Sequence, residues 1–132
     1  TGSHGKTTTT SLVAKILSNQ KLDPTIINGG VINSFKSNAK LGKGEWAILE
    51  ADESDGSFLK LPINYSIVTN IDYEHLDYYK NYKNLEKSFI EFINNCTTII
   101  SFIVNNIYLI KFEFIHFCSS NETPPKSFTH KT

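Results

Sequence analysis

Two stretches of the chain repeat apolar residues with a helical period. Those between residues 12 and 17 recur at spacings of three and four, which predicts an amphipathic helix from residue 8 to about residue 19. Asp23-Pro24 should end it, because proline cannot continue a helix. The same spacing predicts a second helix from about Tyr82 to Asn94. The apolar positions are Leu12, Val13, Ile16 and Leu17 in the first helix, and Leu85, Phe89, Phe92 and Ile93 in the second.

Short apolar runs mark the predicted strands. Trp46–Leu49 and Tyr65–Val68 each end in polar residues, a pattern typical of buried parallel strands. A third strand is predicted at residues 25–27, and the Gly29-Gly30 pair after it indicates either a turn or a close backbone approach. Polar residues 34–43 predict a loop. This pattern favours an α/β fold with a mostly parallel sheet, whose ligands bind beyond the carboxyl ends of the strands.

Charge and cysteine content exclude several classes of protein. Thirteen basic and thirteen acidic side chains give a formal net charge of zero, so we expect no nucleic-acid partner. Cys96 and Cys118 match no metal or redox spacing, and no charged leader precedes an apolar core at the start. These features predict a cytoplasmic protein with reduced thiols.

The apolar segment from residue 97 to residue 117 is long enough to be tested as a membrane span. It fails because polar and charged residues interrupt it, and charges near the middle of a membrane cost a few kcal/mol each. The interrupting residues are Asn105, Asn106, Lys111, Glu113 and His116. We therefore predict strands and no membrane span in this segment. The polar residues 119–132 contain two prolines and predict a disordered tail.

The most specific chemical signal is a glycine-bracketed loop that ends in Gly5-Lys6-Thr7 and leads into the first helix. Glycines let a backbone fold closely around phosphate oxygens, and the helix N-terminus adds positive potential. Lys6 can reach the β- and γ-phosphates, and the Thr7 hydroxyl can bind Mg²⁺. Gly2 supplies the turn in a variant shorter than the standard motif. The candidate ATP-binding residues are Gly2, Ser3, His4, Gly5, Lys6, Thr7 and Thr8.

Two further polar side chains follow the predicted strands. Glu50 ends the first apolar run, and His75 lies just beyond the second. If both strands flank the loop, these side chains and Thr7 converge where Mg²⁺ bridging nucleotide phosphates would lie. Acidic runs such as residues 52–55 are more often solvated surface, and single histidines are more often structural. The position of Glu50 and His75 at strand ends is what favours metal binding by these two side chains.

Four motifs in one order carry a family resemblance: Gly2–Thr9, Asn28–Gly30, Glu50–Phe58 and Thr69–Asp77. Together they resemble the central ATPase domain of the Mur ligases, and within that family the members that add L-alanine. The resemblance covers residues 1–95 and implies a three-layer α/β domain of the P-loop type, here incomplete at both ends. Residues 96–118 are then a divergent apolar segment, followed by the tail 119–132.

The resemblance implies an ATP-dependent, amide-forming ligase of peptidoglycan precursor synthesis. Its members join L-alanine to the lactyl carboxylate of UDP-N-acetylmuramate through an acyl phosphate, releasing ADP and phosphate. ATP and Mg²⁺ are the implied cofactors. Lys6 and His75 are the implied catalytic residues, with Thr7 and Glu50 holding one metal ion and His75 helping to hold a second. The residues implied on the muramyl side are Glu53, Ser54 and Asp55.

Three alternatives stay open. A muropeptide-recycling ligase shares the histidine-containing loop, although that pattern has tyrosine where this chain has Ser54. Another P-loop NTPase, such as a small kinase or a regulatory GTPase, would share the phosphate loop alone. A noncatalytic nucleotide-binding remnant would bind ATP without turning it over. Because the resemblance includes neither the uridine-binding nor the C-terminal domain of the family, we expect a fragment with little or no turnover alone.

Overall fold

The computed structural model describes residues 1–97 and the backbone of residues 101–103. The α-helices are α1 Lys6–Asn19, α2 Leu76–Tyr79 and α3 Tyr82–Asn94, and a 3-10 helix spans Ser57–Lys60. The strands are β1 Thr25–Ile32, β2 Ser37–Lys40, β3 Ala47–Leu49, β4 Ser66–Val68 and β5 Ser101–Ile103. The predicted tail 119–132 and most of the segment 96–118 lie outside these residues. None of the described helices has the length and hydropathy of a membrane span.

The described strands form two small sheets of an α/β fold. One has the order β2-β1-β3, with β1 parallel to β3 and antiparallel to β2; the other pairs β4 with β5 in parallel. The sheet of β2, β1 and β3 is therefore mixed, with one parallel and one antiparallel pair. The predicted loop at residues 34–43 is wrong because β2 lies within it. Strand β1 continues through Gly29-Gly30, with an irregular register against β2 between Ile27 and Ile32, so the turn is wrong and the alternative, a close backbone approach, is correct.

The first of two apolar cores lies between α1 and the sheet that contains β1, around Ala14, Ile26 and Ile32. The helix is present as predicted, but its predicted buried face is only partly correct, because Val13 and Leu17 are half-buried whereas the other two positions are exposed. Leu12 and Ile16 are 59% and 51% exposed, whereas the face against the sheet carries the buried Thr10 and Ala14. The small alanine lets the helix pack closely against the strands.

The second core lies between α3 and β4 and is rich in aromatic residues. Its buried members are Ala51, Phe58, Val68, Tyr79, Leu85, Phe89 and Phe92. The Phe58 ring stacks on Phe92 at 4.9 Å between centroids and meets Phe89 edge-on at 5.5 Å. Helix α3 has the predicted bounds, and the Asn81 side chain caps it by accepting from the Asn84 N–H at 2.9 Å.

A cavity of about 300 Å³ separates β3 from β4 and is bordered by α1 and by residues 61–67. Its position explains why the prediction that the run 46–49 is buried is wrong. Ala47 and Leu49 are exposed, and Trp46 is 38% exposed where it meets the Tyr65 ring. On the far side of the cavity, Thr1 hydrogen-bonds β4, donating to the Ile67 carbonyl and accepting from the Thr69 N–H, both at 3.0 Å.

Candidate functional site

The glycine-bracketed loop leads into α1, which begins at Lys6, two residues before the predicted start. Gly5 precedes it in a left-handed conformation, with φ of 80°, and no side chain caps the helix. The N–H groups of its first turn, at Lys6, Thr7 and Thr8, therefore have no partners within the helix. Such groups, together with the helix dipole, attract anions. Thr7 and Thr8 are both exposed at this end of α1.

The end of β4 holds the loop in place. The Asn70 side chain accepts from the His4 N–H and donates to the His4 carbonyl, both at 2.9 Å. Thr69 donates its hydroxyl to the same carbonyl at 2.6 Å, and the Ser3 hydroxyl accepts from the Asp72 N–H at 2.8 Å. Sequence reasoning missed the contribution of Thr69 and Asn70 to the loop. The available signal was a hydroxyl and an amide directly after a predicted strand.

Gly2 is required where the loop passes this strand end. Its φ of 128° is one that other residues rarely adopt, and a Cβ there would lie 2.2 Å from the Thr69 hydroxyl oxygen. A side chain would thus separate the loop from β4. Gly2, which the sequence predicted as the turn residue, is thus also needed for the close packing of the loop against Thr69.

The side chains of Thr7 and Glu50 are in contact, as predicted if the strand before Glu50 lies beside the loop. The Thr7 hydroxyl donates to Glu50 Oε1 at 3.1 Å, and the Gly29 N–H donates to Glu50 Oε2 at 2.7 Å. A Cβ at Gly29 would lie 2.9 Å from Glu50 Oε1, so the carboxylate rests directly against the bare backbone of β1. A hydroxyl and a carboxylate at a helix N-terminus are the oxygen ligands that Mg²⁺ prefers.

His75 lies with a different set of carboxylates. It adopts a left-handed conformation, with φ of 56°, at the start of α2. Its Nε2 atom lies 3.9 Å from Glu53 Oε1, and ligand atoms of Glu53, Glu74 and His75 all lie within 4.8 Å of one another. The structure thus brings Thr7 together with Glu50 and, separately, His75 together with Glu53 and Glu74.

Lys6 forms an ion pair with Glu53. Its Nζ atom lies 3.0 Å from Oε1 and 3.2 Å from Oε2, and the Glu53 side chain is only 1% exposed. The buried Tyr79 hydroxyl donates to the Glu53 carbonyl. Burial raises the pKa of Tyr79 to about 12, because desolvation disfavours the phenolate. The structure therefore groups Glu53 with the phosphate loop.

The remaining candidates occupy more exposed positions. Ser54 and Asp55 form a turn, in which Asp55 Oδ1 accepts from the Ser57 N–H at 2.9 Å. Hydrogen bonding from Ser57 lowers the pKa of Asp55 below its usual value. The His4 side chain is 61% exposed, with Nε2 at 3.6 Å from Asp72 and 3.7 Å from Glu74. The His4 imidazole therefore lies at the surface beside two carboxylates.

This fold and this loop define an α/β domain of the kind found in the Mur ligase family, as comparisons with known proteins show. The family model for the Mur ligase middle domain matches residues 1–122, and the chain belongs to that family. The match extends beyond residues 1–95, to which the sequence motifs were confined. The predicted family resemblance is confirmed.

Curated relatives with high sequence identity to this chain share one enzyme name within the family. The chain is 69% identical over 94 residues to the UDP-N-acetylmuramate–L-alanine ligase of Pelagibacter ubique, covering 71% of this chain and 20% of that protein. It is 61% identical over 94 residues to the enzyme of that name from Parvibaculum lavamentivorans, covering 71% of this chain and 19% of the relative. The chain thus spans about a fifth of the length of the curated relatives it matches.

Solved structures agree with this placement. UDP-N-acetylmuramate-alanine ligase MurC from Thermotoga maritima matches with a TM-score of 0.69 and 34% identity, covering 76% of this chain and 24% of that one. The UDP-N-acetylmuramate:L-alanyl-gamma-D-glutamyl-meso-diaminopimelate ligase from Neisseria meningitides matches with a TM-score of 0.68 and 24% identity, covering 82% and 38%. The second likeness concerns the fold alone.

Proposed function

We propose that this chain is the ATP-binding portion of a ligase that joins L-alanine to UDP-N-acetylmuramate. One observation carries the proposal: the Thr7 hydroxyl and the Glu50 carboxylate are in contact, at 3.1 Å, beside the uncapped N-terminus of α1. Relatives at 56–69% identity carry the name of that activity, which supports the choice of substrates. A P-loop-type three-layer core and a cytoplasmic location, where ATP is supplied, belong to the same proposal.

The loop residues would bind the triphosphate. The N–H groups at the start of α1 would donate to phosphate oxygens, and Lys6 would neutralise charge on the β- and γ-phosphates. His4, exposed at the loop tip, would lie over the phosphates. Asn70 and Thr69 would act indirectly by keeping the loop in its binding conformation. Gly2, Ser3 and Gly5 would contribute backbone geometry.

Mg²⁺ fits two positions in this chain, on the chemistry of the donors. Thr7 and Glu50 offer a hydroxyl and a carboxylate, which would hold one ion at the start of α1. Glu53, Glu74 and His75 offer two carboxylates and an imidazole, a set suited to a second ion such as Mg²⁺ or Mn²⁺. Bound there, the ions would supply charge neutralisation for phosphoryl transfer.

The proposed reaction has two steps. A lactyl carboxylate oxygen attacks the γ-phosphorus of ATP, the bond to the β,γ-bridging oxygen breaks, and ADP leaves. The alanine amine then attacks the acyl phosphate, loses a proton, and expels inorganic phosphate from a tetrahedral intermediate. Within this chain, positioning and charge stabilisation are the contributions required of the loop, Lys6 and His75. Ser54 and Asp55 would face the muramyl substrate.

Calorimetry with ATP and Mg²⁺ on the whole 132-residue chain tests nucleotide binding. We expect saturable binding that Glu50→Ala weakens about tenfold in Mg²⁺ and much less in EDTA, since one charged ligand contact is worth about 1.4 kcal/mol or more. Alanine-dependent ADP release in the presence of UDP-N-acetylmuramate tests ligation. Absence of ATP binding by a folded chain would refute the proposal.

Nucleotide binding without ligation is a second candidate. The contacts of Thr7, Glu50 and Lys6 described above all lie at the phosphate loop, and the chain spans about a fifth of the length of its ligase relatives. On this hypothesis ATP binds, UDP-N-acetylmuramate changes neither its affinity nor its hydrolysis, and Glu50→Ala affects only the Mg²⁺ dependence of binding. A change in ATP affinity on adding UDP-N-acetylmuramate would reject it in favour of the ligase.

A further inference from the structure

Glu53 is a buried carboxylate in contact with the loop lysine. Its side chain is 1% exposed, and both of its oxygens lie within 3.2 Å of Lys6 Nζ. We infer that Glu53 is the counter-ion that holds Lys6 while the phosphate loop is empty, and that it competes with phosphate for the lysine. This role differs from the substrate contact that the family resemblance implies, and it applies while no metal ion is bound at Glu53.

Burial is what makes the pairing strong. A carboxylate removed from water needs a compensating charge and hydrogen bonds. Lys6 provides the charge, and the Thr1 hydroxyl donates to Glu53 Oε2 at 3.1 Å. The His75 imidazole is farther away, at 3.9 Å from Oε1. Lys6, whose side chain is 18% exposed, is thus the cation in hydrogen-bond contact with this carboxylate among the described residues.

The backbone of Glu53 is also fixed. Its carbonyl accepts from the Tyr79 hydroxyl and from the Gly56 N–H, the latter at 3.1 Å. Tyr79 belongs to the aromatic core, so the carboxylate is carried by a packed element and cannot readily follow the lysine. A lysine that turns toward phosphate must therefore give up part of its contact with Glu53. This competition rests on the proposed nucleotide function; the ion pair itself does not.

Competitive labelling with acetic anhydride measures the ion pair directly. Only the uncharged amine is acylated, so a lysine held by a carboxylate reacts slowly. The whole chain in EDTA is labelled, and Lys6 is compared by mass spectrometry with the exposed Lys15 on the same helix. We expect Glu53→Gln, which keeps the side-chain shape, to raise Lys6 labelling about threefold to tenfold, because the amine loses the charge-assisted hydrogen bonds that hold it. Lys15 should not change.

Asp52→Asn is the matched control. It removes the same formal charge one residue away, where the side chain is exposed. An equal rise of Lys6 labelling in both variants would mean a general field effect and would overturn the inference, as would no rise in Glu53→Gln. If the circular dichroism spectrum shows that Glu53→Gln is unfolded, the ion pair is tested in the wild type instead, by ¹⁵N NMR of its lysine ammonium groups. A slowly exchanging Lys6 signal, assigned with Lys6→Gln, supports the pair, and its absence rejects it.

Binding of inorganic tripolyphosphate in EDTA tests the competition. We expect Glu53→Gln to bind it about threefold to tenfold more tightly than the wild type, and Asp52→Asn less than about twofold, since Glu53 is the one of these two carboxylates in hydrogen-bond contact with Lys6. Weaker or unchanged binding by folded Glu53→Gln would show that the carboxylate does not compete. If the wild type binds no tripolyphosphate, the proposed function fails, whereas the labelling result still decides whether Glu53 holds Lys6.

Discussion

Replacing Gly29 with alanine would disturb the candidate metal position without touching the loop. The new Cβ would lie 2.9 Å from Glu50 Oε1 and 3.1 Å from Cδ, closer than ordinary contacts of 3.4 Å or more. The carboxylate must therefore retreat by about 0.5 Å, the difference between these contacts. This movement lengthens its 2.7 Å hydrogen bond from the Gly29 N–H.

The expected cost falls on metal-dependent binding. A hydrogen bond to a charged group contributes about 1.5 to 3 kcal/mol, and Mg²⁺ demands near-ideal ligand geometry. Losing about half of that contribution would weaken Mg²⁺-dependent ATP binding about threefold to tenfold. Folding should change little, because Gly29 has no positive φ, and glycine-to-alanine changes at compatible positions alter stability by about 1 kcal/mol or less.

Calorimetry with ATP, once in Mg²⁺ and once in EDTA, separates a loss of metal-dependent ATP binding from a general loss of ATP binding. Ile27→Ala, two residues earlier on the same strand and 50% exposed, is the negative control. Glu50→Gln is the positive control, and combining it with Gly29→Ala should add little, because both changes act on one contact. Unaltered Mg²⁺ dependence in Gly29→Ala, alongside a clear loss in Glu50→Gln, would refute the reasoning.

Three further outcomes follow from the contacts described. Asn70→Ala removes two 2.9 Å hydrogen bonds to His4 and should weaken ATP binding about threefold to tenfold while speeding amide exchange at the loop; unchanged exchange would contradict it. Phe89→Ala should lower the free energy of unfolding by about 3 to 5 kcal/mol in urea, and a loss below 1 would contradict full burial. Because the folded pKa of Tyr79 is raised to about 12, its contribution to stability is complete below pH 10 and lost as pH rises toward 12, so Tyr79→Phe should show a shallower decline there.

Local signals in the sequence were sufficient for some elements. Helix α3 was predicted with its observed bounds, because large apolar residues repeat at helical spacing. The Thr7 and Glu50 contact was foreseeable, since a loop motif and a strand end both point to the same edge of a sheet. In each instance the information lies within a few adjacent residues.

Features that depend on distant partners were not predictable in this way. The period of α1 gives a helix but does not distinguish the face of Leu12 and Ile16 from the face of Ala14 that packs on the sheet. Strand β2 has a polar sequence and exists because β1 pairs with it. The pairing of Lys6 with Glu53 joins residues 47 positions apart, and burial of the carboxylate is visible only in the fold.

The phosphate loop bridges two packing units that otherwise have separate interiors. Its helix rests on the sheet of β1, whereas its backbone is fastened to Asn70, directly after the strand that packs against the aromatic residues of α3. The position of the loop therefore depends on the packing of both cores. A cavity opened at Phe92 should therefore also alter how firmly the loop is positioned, although Phe92 belongs to the aromatic core.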